Sequence, residues 1–535
     1  MSKVLIYDTT LRDGAQGENV YFSVEDKIKI AKKLDELGVD YIEGGWPGSN
    51  PKDMEFFRKI SDYQFTHAKL VAFGSTRRAG NSEENDPVLQ NLLAAGTPAI
   101  AIFGKSWDFH VNEVLRVSLE ENLKIIKGSV SYLKKHNKEV LYDAEHFYDG
   151  FKHNPEYAIQ TLQAALRGGA DFIILCDTNG GTLPYEAMEI LRKVRSMITA
   201  PLGVHIHNDC GMATAISILS VQEGAVQVQG TFNGYGERCG NANLCTIVPN
   251  LLLKLGYESA ITPNLSALTE TSKLISELSN LTHDTRLPYV GSSAFAHKAG
   301  MHVDAVKKNM HTFEHVDPSS VGNERRFLLS DQAGRSTVLI KAEKLVPDLT
   351  KSNPKIGELT DKLKELESLG YQFEAAEASF ELLIKKAFDL YDEVFSLDGF
   401  RIIVEKRGNQ PTLTEATIKV TVNGEEELTA AEGDGPVNAL DMAIRKALLR
   451  FYPEIKDFNL VDYKVRVLEE NKGTAAAVRV LIDTSDGHKH WGTVGASENI
   501  IEASWQALVD SIEYGILERQ KKKKKSNKGY SRTAN

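Results

Sequence analysis

Eight times in the first half of the chain, a short apolar run gives way to a stretch with apolar residues at helical spacing. The runs predicted as strands are Val4–Asp8, Val39–Gly45, Lys69–Gly74, Ala99–Gly104, Glu139–His146, Asp171–Thr178, Leu202–Asp209 and Ala225–Gly234. Between them Val24–Leu37, Ser118–His136, Pro155–Arg167, Leu183–Ile198 and Met212–Glu223 read as amphipathic helices. Eight strand-then-helix units in residues 1–260 match the size of a (β/α)8 TIM barrel, roughly 250 residues. A doubly wound open sheet is the alternative, but it seldom needs eight consecutive parallel units.

Beyond the barrel the pattern changes twice. Residues 261–398 read as helical linker subdomains, mixed helix and loop over Ile261–Leu345 and charged helix over Lys351–Val394. Residues 399–520 form a separate α+β unit with a weak internal duplication. Strands at Phe400–Glu405, Ala416–Val422 and Glu427–Ala431 precede one helix, and strands at Tyr463–Leu468, Ala475–Asp483 and His490–Val494 precede another. Each half sets a glycine-bearing turn before its helix, where free N–H groups suit a carboxylate. The basic end, 521–535 with Lys521–Lys525, reads as a solvated, disordered tail.

Composition narrows the function classes. The chain has 535 residues, 42% apolar and 25% charged, which is ordinary for a globular protein. A net charge of −10 disfavours nucleic acid and anionic membrane as partners. No apolar run reaches bilayer-spanning length, and MSKVLIYDTT lacks a signal-peptide pattern. Cys176, Cys210, Cys239 and Cys245 form no CxxC pair and fit a reducing, cytoplasmic setting.

The polar residues sort to the carboxyl ends of the strands, where barrels of this kind place their chemistry. They are Asp8, Arg12 and Asp13 after the first strand, Glu43 on the second, Asp143, Glu145 and His146 on the fifth, and Asp177 and Thr178 on the sixth. The seventh supplies His205, His207 and Asp209. Residues two apart on a strand share a face, so His205 and His207 project side by side. Two histidines with a carboxylate suit a divalent cation acting as Lewis acid. Asp13 is the chosen carboxylate. Asn241 either completes the shell or ties down the glycine-rich loop Asn233–Leu244.

At these residues a resemblance appears. DTTLRDGAQ (Asp8–Gln16), VHIHND (Val204–Asp209) and GYGERCGNANL (Gly234–Leu244) resemble the pyruvate-carboxylase-like metallolyase barrels, and among them the 2-isopropylmalate, homocitrate and citramalate synthase family. EGGWPGSNPKD (Glu43–Asp53), LYDAEHFYDG (Leu141–Gly150) and HVDPSSVGNERR (His315–Arg326) look closest to the long citramalate-type members. The resemblance implies a Claisen condensation of acetyl-CoA with a 2-oxo acid, pyruvate for the citramalate type, and a divalent metal ion (Mn, Mg, Zn or Co). It implies a homodimer and a C-terminal regulatory domain that binds an end-product amino acid, here isoleucine.

In that setting Asp13, His205, His207 and Asn241 would hold the metal, Arg12 would stabilise developing alkoxide charge, and Thr178 would meet the substrate carboxylate. The base for the acetyl methyl is Glu145, His302 or a bound water. GMHVDA matches a family motif whose histidine, His302 here, reaches an active site, often in the partner subunit. Phe313 stands where a family tyrosine is expected before Asp317-Pro318, which puts a hydroxyl role there in doubt. Three rivals remain: a 2-isopropylmalate or homocitrate synthase, an acyl-CoA lyase on the same barrel, and a non-catalytic amino-acid sensor.

Overall fold

The computed structural model describes residues 2–328, 335–343, 345–350, 352–468, 473 and 475–530. Strands β1 (Leu5–Asp8), β2 (Tyr41–Gly45), β3 (Lys69–Ser75), β4 (Ala99–Lys105), β5 (Glu139–Glu145), β6 (Phe172–Asp177), β7 (Leu202–Ile206) and β8 (Gln227–Gly230) close into a parallel barrel in chain order. Closure is the pairing of β1 with β8, Leu5 opposite Gln227 through Asp8 opposite Gly230. Every strand the pattern predicts is present. β8 stops short of its expected end because Phe232–Gly234 turns into a short 3-10 helix, with Asn233 in the left-handed region at φ 60°.

The helices between strands start where local chemistry tells them to. Ser23 and Asp26 exchange hydrogen bonds in a capping box ahead of Val24–Leu37. Pro51–Ile60, Pro155–Gly168 and Pro184–Met197 begin on proline, whose missing N–H costs nothing in a first turn. Their apolar faces and the outward strand residues, such as Ile42, Ile100, Ile102 and Val204, make one continuous core.

Inside the barrel a second cluster of Tyr7, Tyr41, Val71, Phe73, Ala99, Ala101 and Leu141 fills the interior. The two-residue repeat then carries each strand upward from that plug. After Ala101 come Phe103 and Lys105; after Leu141 come Asp143 and Glu145; on β7 comes His205, with His207 one residue past the strand. Polar groups are thereby stacked above an apolar plug.

The chain divides into two compact units, Met1–Phe295 with His315–Arg325, and Ala296–Glu314 with Arg326–Asn535. In the second, β9 (Ala296–His297) pairs in parallel with β10 (Arg326–Phe327). The helices Gly300–Lys308, Arg335–Glu343, Pro354–Ser368 and Glu377–Ala387 accompany them.

Two antiparallel three-stranded sheets follow. They are β11 (Ser396–Glu405), β12 (Leu413–Val422) and β13 (Glu425–Gly433), then β14 (Asn459–Val467), β15 (Val478–Ser485) and β16 (His490–Ser497). Each leads into a helix, Pro436–Leu448 and Ile500–Tyr530, so the duplication seen in the pattern is a repeated βββα unit. On β12 the buried residues Ala416, Ile418, Val420 and Val422 alternate with more exposed ones, the mark of a sheet covered on one face.

The lysine run, expected as a separate tail, continues the last helix, because a run of good helix formers extends an established helix at little cost. Residues 531–535 of that expected tail lie outside the described residues. Among the described residues no helix is long and apolar enough to cross a membrane.

Candidate active site

At the carboxyl end of the barrel, a cavity of about 200 Å³ is lined by Arg12, Asp13, Glu145, Thr178, His205 and His207, together with aromatic and acidic neighbours. Among the described residues, Asp13, His205 and His207 form the one group of three such side chains close enough to share a metal ion. Asp13 Oδ2 lies 3.2 Å from His205 Nε2 and 3.8 Å from His207 Nε2. The two Nε2 atoms are 3.3 Å apart. His205 Nδ1 donates to Gln229 Oε1 at 3.0 Å. Burial disfavours the protonated ring but Asp13 more than offsets it, so Nε2 becomes a lone-pair ligand once a cation replaces its proton.

The electrostatics match a cation site. Burial works against the charge of Asp13, but Arg12, His205 and His207 outweigh it and hold the carboxyl well below its usual range. Burial, reinforced by His205, pushes His207 down to about 4, so it is a neutral imidazole near pH 7. Metal binding requires that form.

Asn241 adds an independent test of fit. Its Nδ2 donates to the Tyr235 carbonyl at 3.2 Å, while its Oδ1 is buried with no hydrogen-bond partner. An orphaned buried carbonyl is costly, by about 1–3 kcal/mol, unless something meets it. The residue pairs through its backbone with His207. This approach depends on two glycines. A Cβ on Gly236 (φ 151°) would sit 2.2 Å from Asn241 Nδ2, and one on Gly240 (φ 83°) would sit 2.0 Å from the Gly234 carbonyl. Three convergent ligand atoms, with an orphaned amide oxygen on the residue whose backbone pairs with His207, suit a divalent cation.

Arg12 is clamped on three sides. Its Nε donates to Glu43 Oε1 at 2.5 Å, its Nη1 lies 3.1 Å from Asp13 Oδ2, and its guanidinium sits 3.7 Å above the Phe73 ring. Glu43 is fully buried and also accepts from Tyr7 and from Thr9 Oγ1. Thr178 Oγ1 accepts the His146 N–H at 2.9 Å, leaving its own proton for another acceptor in the cavity. Asp143 also faces the cavity. Burial, with Glu43 nearby, raises it to about 7.

Glu145, at the end of β5, is ion-paired with Lys105 at the end of β4. His302 lies in the second unit on Gly300–Lys308, its ring stacked 4.0 Å from Phe313, and it is not among the residues lining the barrel cavity.

Sequence reasoning passed over several groups. Gln229, Lys105 and an aromatic wall of Trp46, Phe73 and Phe103 were not singled out. The rings of the wall pack edge-on or stacked at 5.5–5.8 Å. A signal existed, since Phe103 and Lys105 keep the inward phase of Ala101, and Gln229 keeps that of Gln227.

A closed parallel barrel with this cluster at its rim, joined to a repeated βββα unit, defines a metal-binding barrel enzyme of the HMGL-like class. The HMGL-like family model matches residues 3–275, a homocitrate synthase post-HMGL domain-like model matches 289–370, and the LeuA allosteric (dimerisation) domain matches 374–516. Over 517 residues the chain is 56% identical to an (R)-citramalate synthase of Geobacter sulfurreducens, covering 96% of this chain and 98% of that one. It is 54% identical to an (R)-citramalate synthase of Aquifex aeolicus, with the same coverage. A 2-isopropylmalate synthase of Acetivibrio thermocellus is more distant, at 30% identity over 96% of this chain and 98% of that one. The chain belongs to the (R)-citramalate synthase family.

Proposed function

We propose that the chain condenses acetyl-CoA with pyruvate and hydrolyses the thioester, giving (R)-citramalate and CoA. The observation that carries this reading is the Asp13–His205–His207 cluster beside a clamped Arg12 in a cavity of about 200 Å³. These three residues and Asn241 would hold a divalent cation (Mn, Mg, Zn or Co), which would supply Lewis-acid polarisation of the oxo-acid carbonyl.

The remaining work falls to the chain's own side chains. Arg12, pinned by Glu43 and Asp13, presents fixed positive charge where alkoxide charge grows, and a preorganised group needs no reorganisation at that moment. Thr178 donates to the oxo-acid carboxylate. Glu145 takes the acetyl methyl proton. The aromatic wall, a stiff surface of three rings, favours a methyl-bearing oxo acid over bulkier ones by steric exclusion. The supporting reason for a homodimer is the LeuA-type unit, and isoleucine is the effector proposed to bind there.

Thiol release from acetyl-CoA tests the reading, with pyruvate, 2-oxobutyrate, 2-oxoisovalerate and 2-oxoglutarate offered in turn, with and without chelator. Chelator-sensitive release fastest with pyruvate is expected, as is its inhibition by isoleucine in the full chain. Fastest release with 2-oxoisovalerate or 2-oxoglutarate reassigns the substrate to that of a sister enzyme. Cleavage of a 3-hydroxyacyl-CoA without any condensation makes the protein a lyase.

A further inference from the structure

The methyl protons of acetyl-CoA are far less acidic than any carboxylic acid, so a base alone does not remove one. The electron pair left behind needs a cation or preorganised hydrogen-bond donors at the thioester oxygen. On the oxo-acid side of the cavity the positive charge is already committed. Arg12 is held by Glu43, Asp13 and the Phe73 ring. The other arginine lining the cavity, Arg238, is paired bidentately with Asp209 at 2.8 and 3.0 Å and donates to the Thr178 carbonyl. Both arginines are held by partners other than Glu145.

Lys105 stands opposite Glu145 in the β4–β5 register, and it follows Phe103 in the inward phase of its strand. Its ammonium is ion-paired to Glu145 Oε2, with the two side chains only 16% and 21% exposed. Lys105 is not itself one of the residues lining the cavity; it adjoins two that are, Glu145 through the ion pair and Phe103, whose ring centre is 5.7 Å from the ammonium.

We propose that Lys105 is a catalytic residue that holds the enolate of acetyl-CoA; this rests on the condensation reading above. In the resting pair, Glu145 is anionic and Lys105 cationic. When Glu145 accepts the methyl proton, the C–H bond breaks and its electron pair moves through the new C=C bond onto the thioester oxygen. Glu145 becomes neutral and the enolate carries the negative charge. The sum over the three groups is unchanged. What changes is the partner of the ammonium, which passes from the carboxylate to the enolate oxygen. With three N–H donors it can touch both during the transfer. A half-buried ammonium whose carboxylate has been neutralised is poorly solvated, so proton transfer and enolate formation reinforce each other. As the enolate carbon attacks the oxo-acid carbonyl, the charge leaves the thioester oxygen, and Glu145 can return to Lys105 once its proton is released.

The test compares the full-length wild type with Lys105→Met and Lys105→Arg, loaded with metal. Carboxymethyl-CoA, whose carboxylate mimics the enolate, is titrated calorimetrically against CoA. Turnover is measured with acetyl-CoA and its trideuteromethyl form. Expected for Lys105→Met is a fall in kcat of about 10²–10³-fold, with a larger isotope effect and unchanged metal content and pyruvate KM. Carboxymethyl-CoA should lose at least about tenfold more affinity than CoA, and Lys105→Arg should recover part of both losses. Unchanged kcat, or equal weakening of carboxymethyl-CoA and CoA, would overturn the assignment. Absence of chelator-sensitive thiol release by the wild type would instead overturn the condensation reading itself, and the Lys105 assignment with it.

Discussion

Gln229 Oε1 lies 3.0 Å from His205 Nδ1, one strand away on β8, and accepts a hydrogen bond from it. The bond sets which histidine nitrogen is left to face Asp13. Gln229→Leu keeps the bulk and removes the acceptor. Manganese affinity, followed by calorimetry, should fall about 10–100-fold, with the fold intact by circular dichroism. Unaltered affinity would mean that strand packing alone orients the ring.

Arg12→Lys preserves charge but not shape. A single ammonium cannot span Glu43 and Asp13 while lying flat on Phe73, as the guanidinium does. Metal content by atomic emission should stay near that of the wild type, and kcat should drop by about 10²–10³-fold. Wild-type turnover in this variant removes Arg12 from the chemistry.

Asp8 provides the pH dependence. It is fully buried and accepts from Thr10 N at 3.0 Å and Thr10 Oγ1 at 2.7 Å. Burial raises it to about 7, Thr10's hydrogen bonds opposing the shift and Glu43 adding to it. Between the unfolded carboxyl's value and 7, the folded chain therefore holds a proton that the unfolded chain has lost. Stability then falls as pH rises through this window, by at most about 1.4 kcal/mol per pH unit for one such group. Asp143, also near 7, acts in the same direction. Asp8→Asn should flatten the decline in Tm between pH 5 and 7 by one proton's share, as scanning calorimetry would show. An identical slope in the variant would mean that Asp8 titrates normally.

A chain ending at Val394 should aggregate rather than yield a free barrel. Ala378, Leu382 and Val394 belong to the same core as Ile418, Leu440 and Ile444, so the cut strips one side of a packed cluster. Each apolar side chain exposed costs about 1.5–3 kcal/mol. Size-exclusion chromatography should show large species or none in solution. A monodisperse, active truncation would show that the helices before Val394 hold together without the repeated sheets.

Much of the barrel was legible because parallel strands buried on both faces are short apolar runs, and eight of them spaced by amphipathic helices admit few alternatives. The cluster was legible for a related reason. His205 and His207 share a face by the two-residue repeat, and Asp13 follows the first strand at the same end. Gln229, Lys105 and the Trp46–Phe73–Phe103 wall were harder, because their meaning depends on lateral neighbours. Lys105 reads as an ordinary charged strand end until the β4–β5 register sets it against Glu145. The sequence does not mark the end of the last helix, because lysines suit solvent and helix equally well. Local pattern shows that a residue faces inward. It does not show what it will face.

The closure of β1 on β8 also sets when the proposed metal centre can exist. Its carboxylate comes from the first loop of the chain, its imidazoles from residues some two hundred positions later, and its amide from the loop beyond the last strand. No contiguous fragment of the barrel brings these together, and contacts so distant in sequence form late. During synthesis the full set of ligands is therefore incomplete until the eighth strand has emerged and docked. A cation held by the proposed set would then favour the closed ring over open precursors that offer only some of its ligands.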